Sequence, residues 1–111
     1  MMEKTRRLTK ADDFLAVRRM GRSYSDRLLV LLALQNAVDN TRVGLSVSRR
    51  VGNAVQRNRI KRMLREVFRG SVLIQGWDLV VIARQDAVKV DFIKLNASAT
   101  TLLKRAGVLL S

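Results

Sequence analysis

The segment RVGLSVSRRVGNAVQRNRIKRMLREVFRG, Arg42–Gly70, changes its hydrophobic period partway along. In RVGLSVS, Val43, Leu45 and Val47 alternate with small or polar residues, which predicts a β-strand with one buried face. Farther on, apolar side chains recur at i, i+3, i+4, i+7 and i+8, which predicts an amphipathic helix with an inward face formed by Ile60, Met63, Leu64, Val67 and Phe68. The segment therefore predicts a strand that leads into a helix.

The start and end of this helix also have sequence signals. Asn53 is a suitable N-cap, and Gln56 lies three residues later, as in a capping box. Gly70 follows the last apolar residue and supplies a C-terminal stop. Gly52 with Asn53 fits a phosphate-binding helix entrance as well as a simple tight turn, and both interpretations stay open.

The helix carries a high density of positive charge. Residues 49–69 contain eight Arg or Lys and a single acid, Glu66. At about 100° per residue the cations form two rows flanking the apolar face. The first row is Arg57, Lys61, Arg65 and Arg69, and the second is Arg59 and Arg62. Like charges at i, i+4 destabilise a helix by roughly 0.2 to 0.5 kcal/mol per pair, so an anionic partner is predicted, although a solvated helix face is the simpler alternative.

Composition supports an anionic partner for the chain as a whole. The 111 residues include 22 Lys plus Arg and 9 Asp plus Glu, for a formal net charge of +13. Hydrophobic residues make up 48%, enough for one compact core, so we predict a single domain over residues 1–111. Nucleic acid is the first candidate partner and an anionic membrane surface the second. The longest apolar run, Leu28–Leu34, has seven residues, against about 20 for a membrane span.

The residue types needed for common protein catalysis are missing. The sequence has no Cys and no His, which removes thiolate nucleophiles, imidazole bases and the usual zinc ligands. Asp12 and Asp13 are adjacent, so on a helix their side chains diverge and form a poor joint metal site. We therefore predict no catalytic residues and no metal site in the protein itself. The amino-terminal stretch MMEKTRRLTKADDF lacks an apolar signal core, and a cytoplasmic protein is expected.

The rest of the chain predicts further helices and strands. Residues 1–8 form a basic arm that is expected to be loosely ordered, and a first helix runs from an N-cap at Thr9 to about Gly21. Leu28–Leu34 is expected to pair with RVGLSVS as a hairpin. A strand over Asp78–Arg84 and a helix over Asp91–Arg105 complete an α+β fold.

The stretch RVGLSVSRRVGNAVQRNRIKRMLREVFR resembles the signature of the bacterial ribonuclease P protein subunit. RRLTKADDFLAV resembles the amino-terminal helix of that family and WDLVVIAR its later strand, so the resemblance covers nearly the whole chain. It implies an α/β sandwich with a small mixed four-stranded sheet, about three helices and a left-handed βαβ crossover.

The resemblance also implies a function. Members bind a large catalytic RNA and the 5′ leader of precursor tRNA, and the RNA subunit with bound Mg²⁺ cleaves the leader from the tRNA. The protein is then a subunit of an endoribonuclease, with no membrane partner and no obligate protein partner. A general RNA chaperone or ribosome-associated RNA-binding module remains the alternative, and a protein nuclease is disfavoured by the missing His.

Site residues follow from the same resemblance. Leader contacts are expected from Phe14, Arg18, Ser46, Ser48, Arg57, Asn58, Lys61 and Arg65. Contacts to the RNA subunit are expected from Arg49, Arg50, Asn53, Arg59 and Arg62. Arg18 and Leu32 occupy positions that are aromatic in some relatives, which shifts the expected leader contacts toward charge. Phe14 also fits a core residue that anchors the first helix.

Overall fold

The computed structural model describes residues 5–110. These residues form five strands, three α-helices and one short 3₁₀ helix. In chain order they are β1 (Thr5–Arg7), α1 (Ala11–Met20), β2 (Arg22–Ser25), β3 (Leu29–Gln35), β4 (Thr41–Ser46), α2 (Ala54–Arg69), β5 (Trp77–Ala83), the 3₁₀ helix (Gln85–Lys89) and α3 (Phe92–Ala106).

The strands form one mixed sheet in the order β1-β4-β5-β3-β2. β4 and β5 are parallel, as are β1 and β4, whereas β3 is antiparallel to both β5 and β2. The predicted α+β class with three helices and a mixed sheet is confirmed. The predicted hairpin between Leu28–Leu34 and RVGLSVS is wrong, because β5 lies between β3 and β4. β5 is apolar on both faces and is buried along most of its length, which suits the centre of a sheet.

Helices cover both faces of the sheet. The larger core lies on the face covered by α2 and α3, where Ile60, Leu64 and Leu102 pack against Leu79 and Val81. All five side chains are at most 3% exposed. On the other face α1 packs through Val17 and Phe14 against Val80, Leu32 and Ile82. The apolar face predicted for α2 is therefore the face that the fold buries.

The crossover from β4 through α2 to β5 is left-handed. With β4 running upward and the α2 face toward the viewer, an L-residue whose side chain points at the viewer directs its N–H and C=O to the right. Val43 has this orientation, because its side chain packs on the α2 face and its carbonyl accepts the Leu8 N–H at 2.9 Å. β1 therefore lies to the right of β4 and β5 to the left. Since α2 passes in front of the sheet, the path from β4 to β5 moves to the left and the crossover is left-handed. Only about 2% of crossovers between parallel strands have this hand.

The amino-terminal residues differ from their prediction. Thr5–Arg7 pair in parallel with Thr41–Val43, and Leu8 is only 4% exposed. A loosely ordered arm is therefore wrong for residues 5–8, because the edge of β4 offers unpaired backbone groups and the smaller core accepts Leu8. Residues 1–4 of the arm lie outside the described residues. The α1 N-cap is Lys10 rather than Thr9.

An ion-pair network ties α1 to the sheet. The Arg42 guanidinium donates to both oxygens of Asp78, with Nε at 2.8 Å and Nη2 at 2.7 Å, and a third contact reaches Asp13 on α1 at 3.3 Å. Asn36 donates to the same Asp78 carboxylate at 2.8 Å. The hydrogen bonds to Asp78 raise the pKa of Arg42 above its ordinary value, so the guanidinium stays charged. This network fixes where α1 lies over the sheet.

Candidate nucleic-acid interface

The N-terminus of α2 is held by reciprocal hydrogen bonds. Asn53 Oδ1 accepts the Gln56 N–H at 2.9 Å, and Gln56 Oε1 accepts the Asn53 N–H at 2.9 Å. This capping box is the one that the sequence predicted, and it satisfies two amide groups that would otherwise lack partners. The Arg57 Nε also donates to the Gly52 carbonyl at 3.1 Å, so the first residue of the first row is drawn back over the turn.

A groove of about 310 Å³ lies beside α2 at the edge of the sheet. It is lined by Arg7, Leu8, Thr9, Phe14, Val43, Gly44, Leu45, Lys61, Arg65 and Phe68. Aliphatic and aromatic side chains form its walls, and cations from β1 and α2 stand around them. Since no acidic side chain among residues 5–110 contributes to this lining, the groove combines apolar walls with cations.

The groove exists because β1 is shorter than β4. The last bond between them joins the Leu8 N–H to the Val43 carbonyl, whereas β4 continues to Ser46. Beyond Leu8 no strand of the described part of the chain pairs with the edge of β4, and α1 and α2 flank this edge from opposite faces of the sheet. Phe14 reaches the opening from α1, while Lys61 and Arg65 reach it from α2. The tertiary structure thus joins an aromatic ring to the first row of cations.

Three of the predicted leader-contacting residues line this groove, namely Phe14, Lys61 and Arg65. Arg18 and Ser46 lie near it and contact each other, with Arg18 Nη2 donating to Ser46 Oγ at 3.4 Å. Phe14 also packs in the smaller core, so both of its predicted roles are compatible with its position.

The remaining predicted leader residues are placed around the N-terminal half of α2. Ser48 is exposed in the turn after β4, and Asn58 is exposed on α2. Arg57 is half-buried because of its bond to the Gly52 carbonyl. None of these three contributes to the lining of the groove.

The second row faces away from the groove. Arg59 Nη2 donates to the Val90 carbonyl at 3.2 Å, on the side of α2 toward the 3₁₀ helix, and Arg62 is exposed. Arg49 and Arg50 are exposed in the turn before α2. The side-chain oxygen of Asn53 is occupied by the capping box, which leaves its amide for other contacts. The structure thus separates the two rows that helical spacing predicted.

Charge pairing shortens the first row. Glu66 accepts from Arg69 Nη1 at 2.6 Å, one helical turn away. The carboxylate of Glu66, the single acid of this segment, therefore neutralises Arg69. Arg57, Lys61 and Arg65 therefore remain as the first row, and no salt bridge involves any of them within residues 5–110.

Seven groove residues were not predicted as site residues, namely Arg7, Leu8, Thr9, Val43, Gly44, Leu45 and Phe68. Phe68 belonged to the predicted apolar face of α2, and it is 8% exposed. Arg7 and Leu8 belonged to the predicted arm, and Thr9 was the predicted N-cap of the first helix. The basic character of the arm was visible in the sequence, but its pairing with β4 was not. Their position depends on a contact between segments far apart in the sequence.

The described part of the chain holds no cluster of three acidic, His or Cys side chains suited to a metal ion. The residues present therefore do not fit a protein-bound Mg²⁺. Within residues 5–110, no helix has the length and apolar character needed to cross a membrane.

Comparison with known proteins identifies close relatives. The family model of ribonuclease P matches residues 2–107. The ribonuclease P protein component of Clostridium novyi is 43% identical over 111 residues, covering 96% of this chain and 98% of the relative. That of Clostridium botulinum strain Loch Maree is 41% identical over 108 residues, covering 95% and 97%.

Solved structures are also similar. An RNase P protein from Staphylococcus aureus superposes with a TM-score of 0.84 at 38% identity, covering 92% of this chain and 95% of that one. The Thermotoga maritima RNase P protein gives a TM-score of 0.81 at 37% identity, covering 89% and 96%.

Proposed function

Because the chain belongs to the ribonuclease P protein family, we propose that it acts as the protein subunit of a ribonuclease P that removes the 5′ leader from precursor tRNA. The partners of this subunit are the ribonuclease P RNA and the precursor tRNA, and its site of action is the cytoplasm. The groove beside α2 carries the proposal, because it offers both contacts that an unpaired RNA strand needs: an aromatic ring and a row of cations.

The leader is assigned to this groove. A base that stacks on Phe14 contributes about 1 to 3 kcal/mol, and Lys61 and Arg65 stand where they can meet the phosphates of the same strand. Arg7 adds a third cation on the β1 side. The apolar walls tolerate any base, so binding here is expected to depend on the presence of a leader more than on its sequence.

The ribonuclease P RNA is assigned to the opposite flank of α2. Arg59 and Arg62 lie there, and Arg49 and Arg50 extend the positive surface into the preceding turn. Arg is suited to this task because its planar guanidinium binds two phosphate oxygens together. The protein can therefore hold the leader on one flank of α2 and the RNA subunit on the other.

Bond cleavage is assigned to the RNA subunit. The sequence has no His or Cys to move a proton or attack a phosphorus atom, and its carboxylates are dispersed. Mg²⁺ prefers oxygen ligands, and the phosphates of the RNA subunit and the substrate provide these. The protein's own residues lower the repulsion between the two RNA molecules and position the leader.

Reconstitution tests the proposal. Precursor tRNA is incubated with the protein, with the ribonuclease P RNA of the same organism, or with both, at near-physiological salt and Mg²⁺. We expect no cleavage by the protein alone and faster cleavage by the mixture than by the RNA alone. Cleavage by the protein alone would show that it is a nuclease. Binding without stimulation would favour the general RNA chaperone.

A further inference from the structure

A second basic groove, also of about 310 Å³, lies on the flank of α2 away from Phe14. It is lined by Arg27, Leu28, Asp86, Lys89, Val90 and Lys94. Three separate elements contribute to it: the turn between β2 and β3, the 3₁₀ helix, and the first turn of α3. None of these residues was predicted to contact RNA, since they are far apart in the sequence and lie outside the basic helix.

The turn that carries Arg27 is held rigidly. The Asp26 carboxylate accepts the N–H groups of Leu28 at 2.9 Å and Leu29 at 3.0 Å, and it accepts the Ser98 hydroxyl of α3 at 2.5 Å. The Arg84 N–H donates to the Leu28 carbonyl at 2.8 Å, which joins the same turn to the end of β5. Arg27 is therefore presented from a fixed backbone, so a ligand that binds here does not have to order the turn.

The acids near this groove are already engaged. Asp86 Oδ1 lies 3.7 Å from Lys89 Nζ. Asp91 is the N-cap of α3, and its Oδ1 accepts the backbone N–H of Lys94 at 3.0 Å. Arg27 and Lys94 are exposed, and within residues 5–110 neither forms a salt bridge. Two cations without a carboxylate partner therefore face a groove that has space for an anionic group.

The groove is continuous with the second row of α2. Arg59 donates to the carbonyl of Val90, and Val90 lines the groove, so a positive surface runs from Arg62 and Arg59 to Lys94 and Arg27. Among residues 5–110 its lining contains aliphatic side chains but no aromatic ring, so these residues offer no stacking surface for unpaired bases. This chemistry suits the phosphate backbone of a structured RNA better than a single strand.

We infer that the groove around Arg27 and Lys94 binds phosphates of the ribonuclease P RNA and extends the interface of Arg59 and Arg62 onto α3. The inference rests on the proposed function. It adds a contact by elements outside the basic helix, on the side of the molecule away from the leader groove.

Charge reversal tests the inference. Arg27→Glu and Lys94→Glu are compared with Lys104→Glu, which makes the same change at an exposed position near the other end of α3. The affinity of each variant for the ribonuclease P RNA is measured over a range of salt. We expect a loss of about fivefold for Arg27→Glu and Lys94→Glu at near-physiological salt, with a log–log slope smaller by about 0.7 to 0.9. Lys104→Glu is expected to change little.

The controls separate folding and leader binding from the effect on the RNA subunit. Circular dichroism melts check the fold, and Arg27→Gln and Lys94→Gln replace any reversal that fails to fold. Equal losses for Lys104→Glu, or a loss confined to precursor tRNA with a leader, would overturn the inference. If the unaltered protein fails to bind the RNA, the proposed function fails instead.

Discussion

The ring of Phe14 occupies the space that a side chain at Gly44 would fill. A Cβ built at Gly44 would lie 2.7 Å from Phe14 Cε1. α1 therefore approaches β4 closely enough to bring an aromatic ring to the groove only because position 44 has no side chain.

Gly44→Ala is expected to displace this ring and to weaken leader binding. Overpacking of this kind destabilises by about 1 to 3 kcal/mol, which urea denaturation measures. The affinity for precursor tRNA with a leader should fall, whereas the affinity for tRNA without a leader should not change. Gly70→Ala is a matched control, because a Cβ there has its nearest neighbour at 3.7 Å.

A double-mutant cycle identifies the cause of the Gly44→Ala effect. In a Phe14→Ala background the ring is gone, so adding Gly44→Ala should have little further effect on leader affinity. Additive losses from the two changes would show that Gly44 acts independently of the ring.

The two flanks of α2 should respond differently to charge reversal. Lys61→Glu with Arg65→Glu is expected to reduce leader affinity, because both residues line the groove with Phe14. Arg59→Glu with Arg62→Glu is expected to reduce affinity for the ribonuclease P RNA, because that row faces the opposite side. The two double variants change the net charge equally, so each is the control for the other. Equal effects on both ligands would refute the division.

Asp26 should contribute an acid-sensitive part of the stability. Burial alone would raise its pKa, but hydrogen bonds from Ser98, Leu29 and Leu28, together with nearby Arg105, hold the pKa below its ordinary value. A carboxyl group whose pKa is lowered by folding stabilises the fold fully at pH values above its pKa in the unfolded chain, which is about 3.9. This stabilisation is lost as the pH falls through the pKa of the folded state.

Ser98→Ala should raise the pKa of Asp26 toward its ordinary value, which NMR titration of the carboxyl measures. Urea denaturation at several pH values should then show that less stability is gained as pH rises through the folded pKa toward about pH 5 than in the unaltered protein. Ser71→Ala removes a different hydroxyl hydrogen bond, to the Val67 carbonyl at 2.8 Å, and should leave the Asp26 titration unchanged. An unchanged pKa in Ser98→Ala would contradict the role of this bond.

The capping box gives a separate prediction for Asn53. Asn53→Ala removes the acceptor for the Gln56 N–H and is expected to destabilise the protein by about 0.5 to 2 kcal/mol, which thermal and urea denaturation measure. Asn53→Ser retains a capping oxygen and should be close to the unaltered protein in stability. A loss of RNA affinity in Asn53→Ser at normal stability would show that the side-chain amide itself contacts RNA.

Local patterns predicted much of the fold. Helical periodicity acts over a few residues, and three predictions depended on it. They are the α2 capping box, the burial of Ile60 and Leu64, and the separation of Lys61 from Arg59. The strand predicted over Asp78–Arg84 corresponds to β5, which occupies Trp77–Ala83.

Predictions that depended on distant contacts were less accurate. β2 was not identified, because RSYS is short and polar and becomes a strand only by pairing with β3. The hairpin was wrong because adjacency in sequence favours, but does not require, adjacency in a sheet. Arg42 joins Asp13 and Asp78 in one network, and residue spacing did not predict this link because the three residues lie far apart in the sequence.

The sequence by itself determined that a basic amphipathic helix with two separated rows of cations follows an alternating strand, since both features repeat over a few residues. Only the tertiary structure decided that β5 separates β3 from β4, that the crossover is left-handed, and that Phe14 meets Lys61 and Arg65 at the open edge of β4. These features depend on strand pairing and on packing between residues far apart in the chain. The spacing of residue types along the sequence predicts neither the pairing nor the packing.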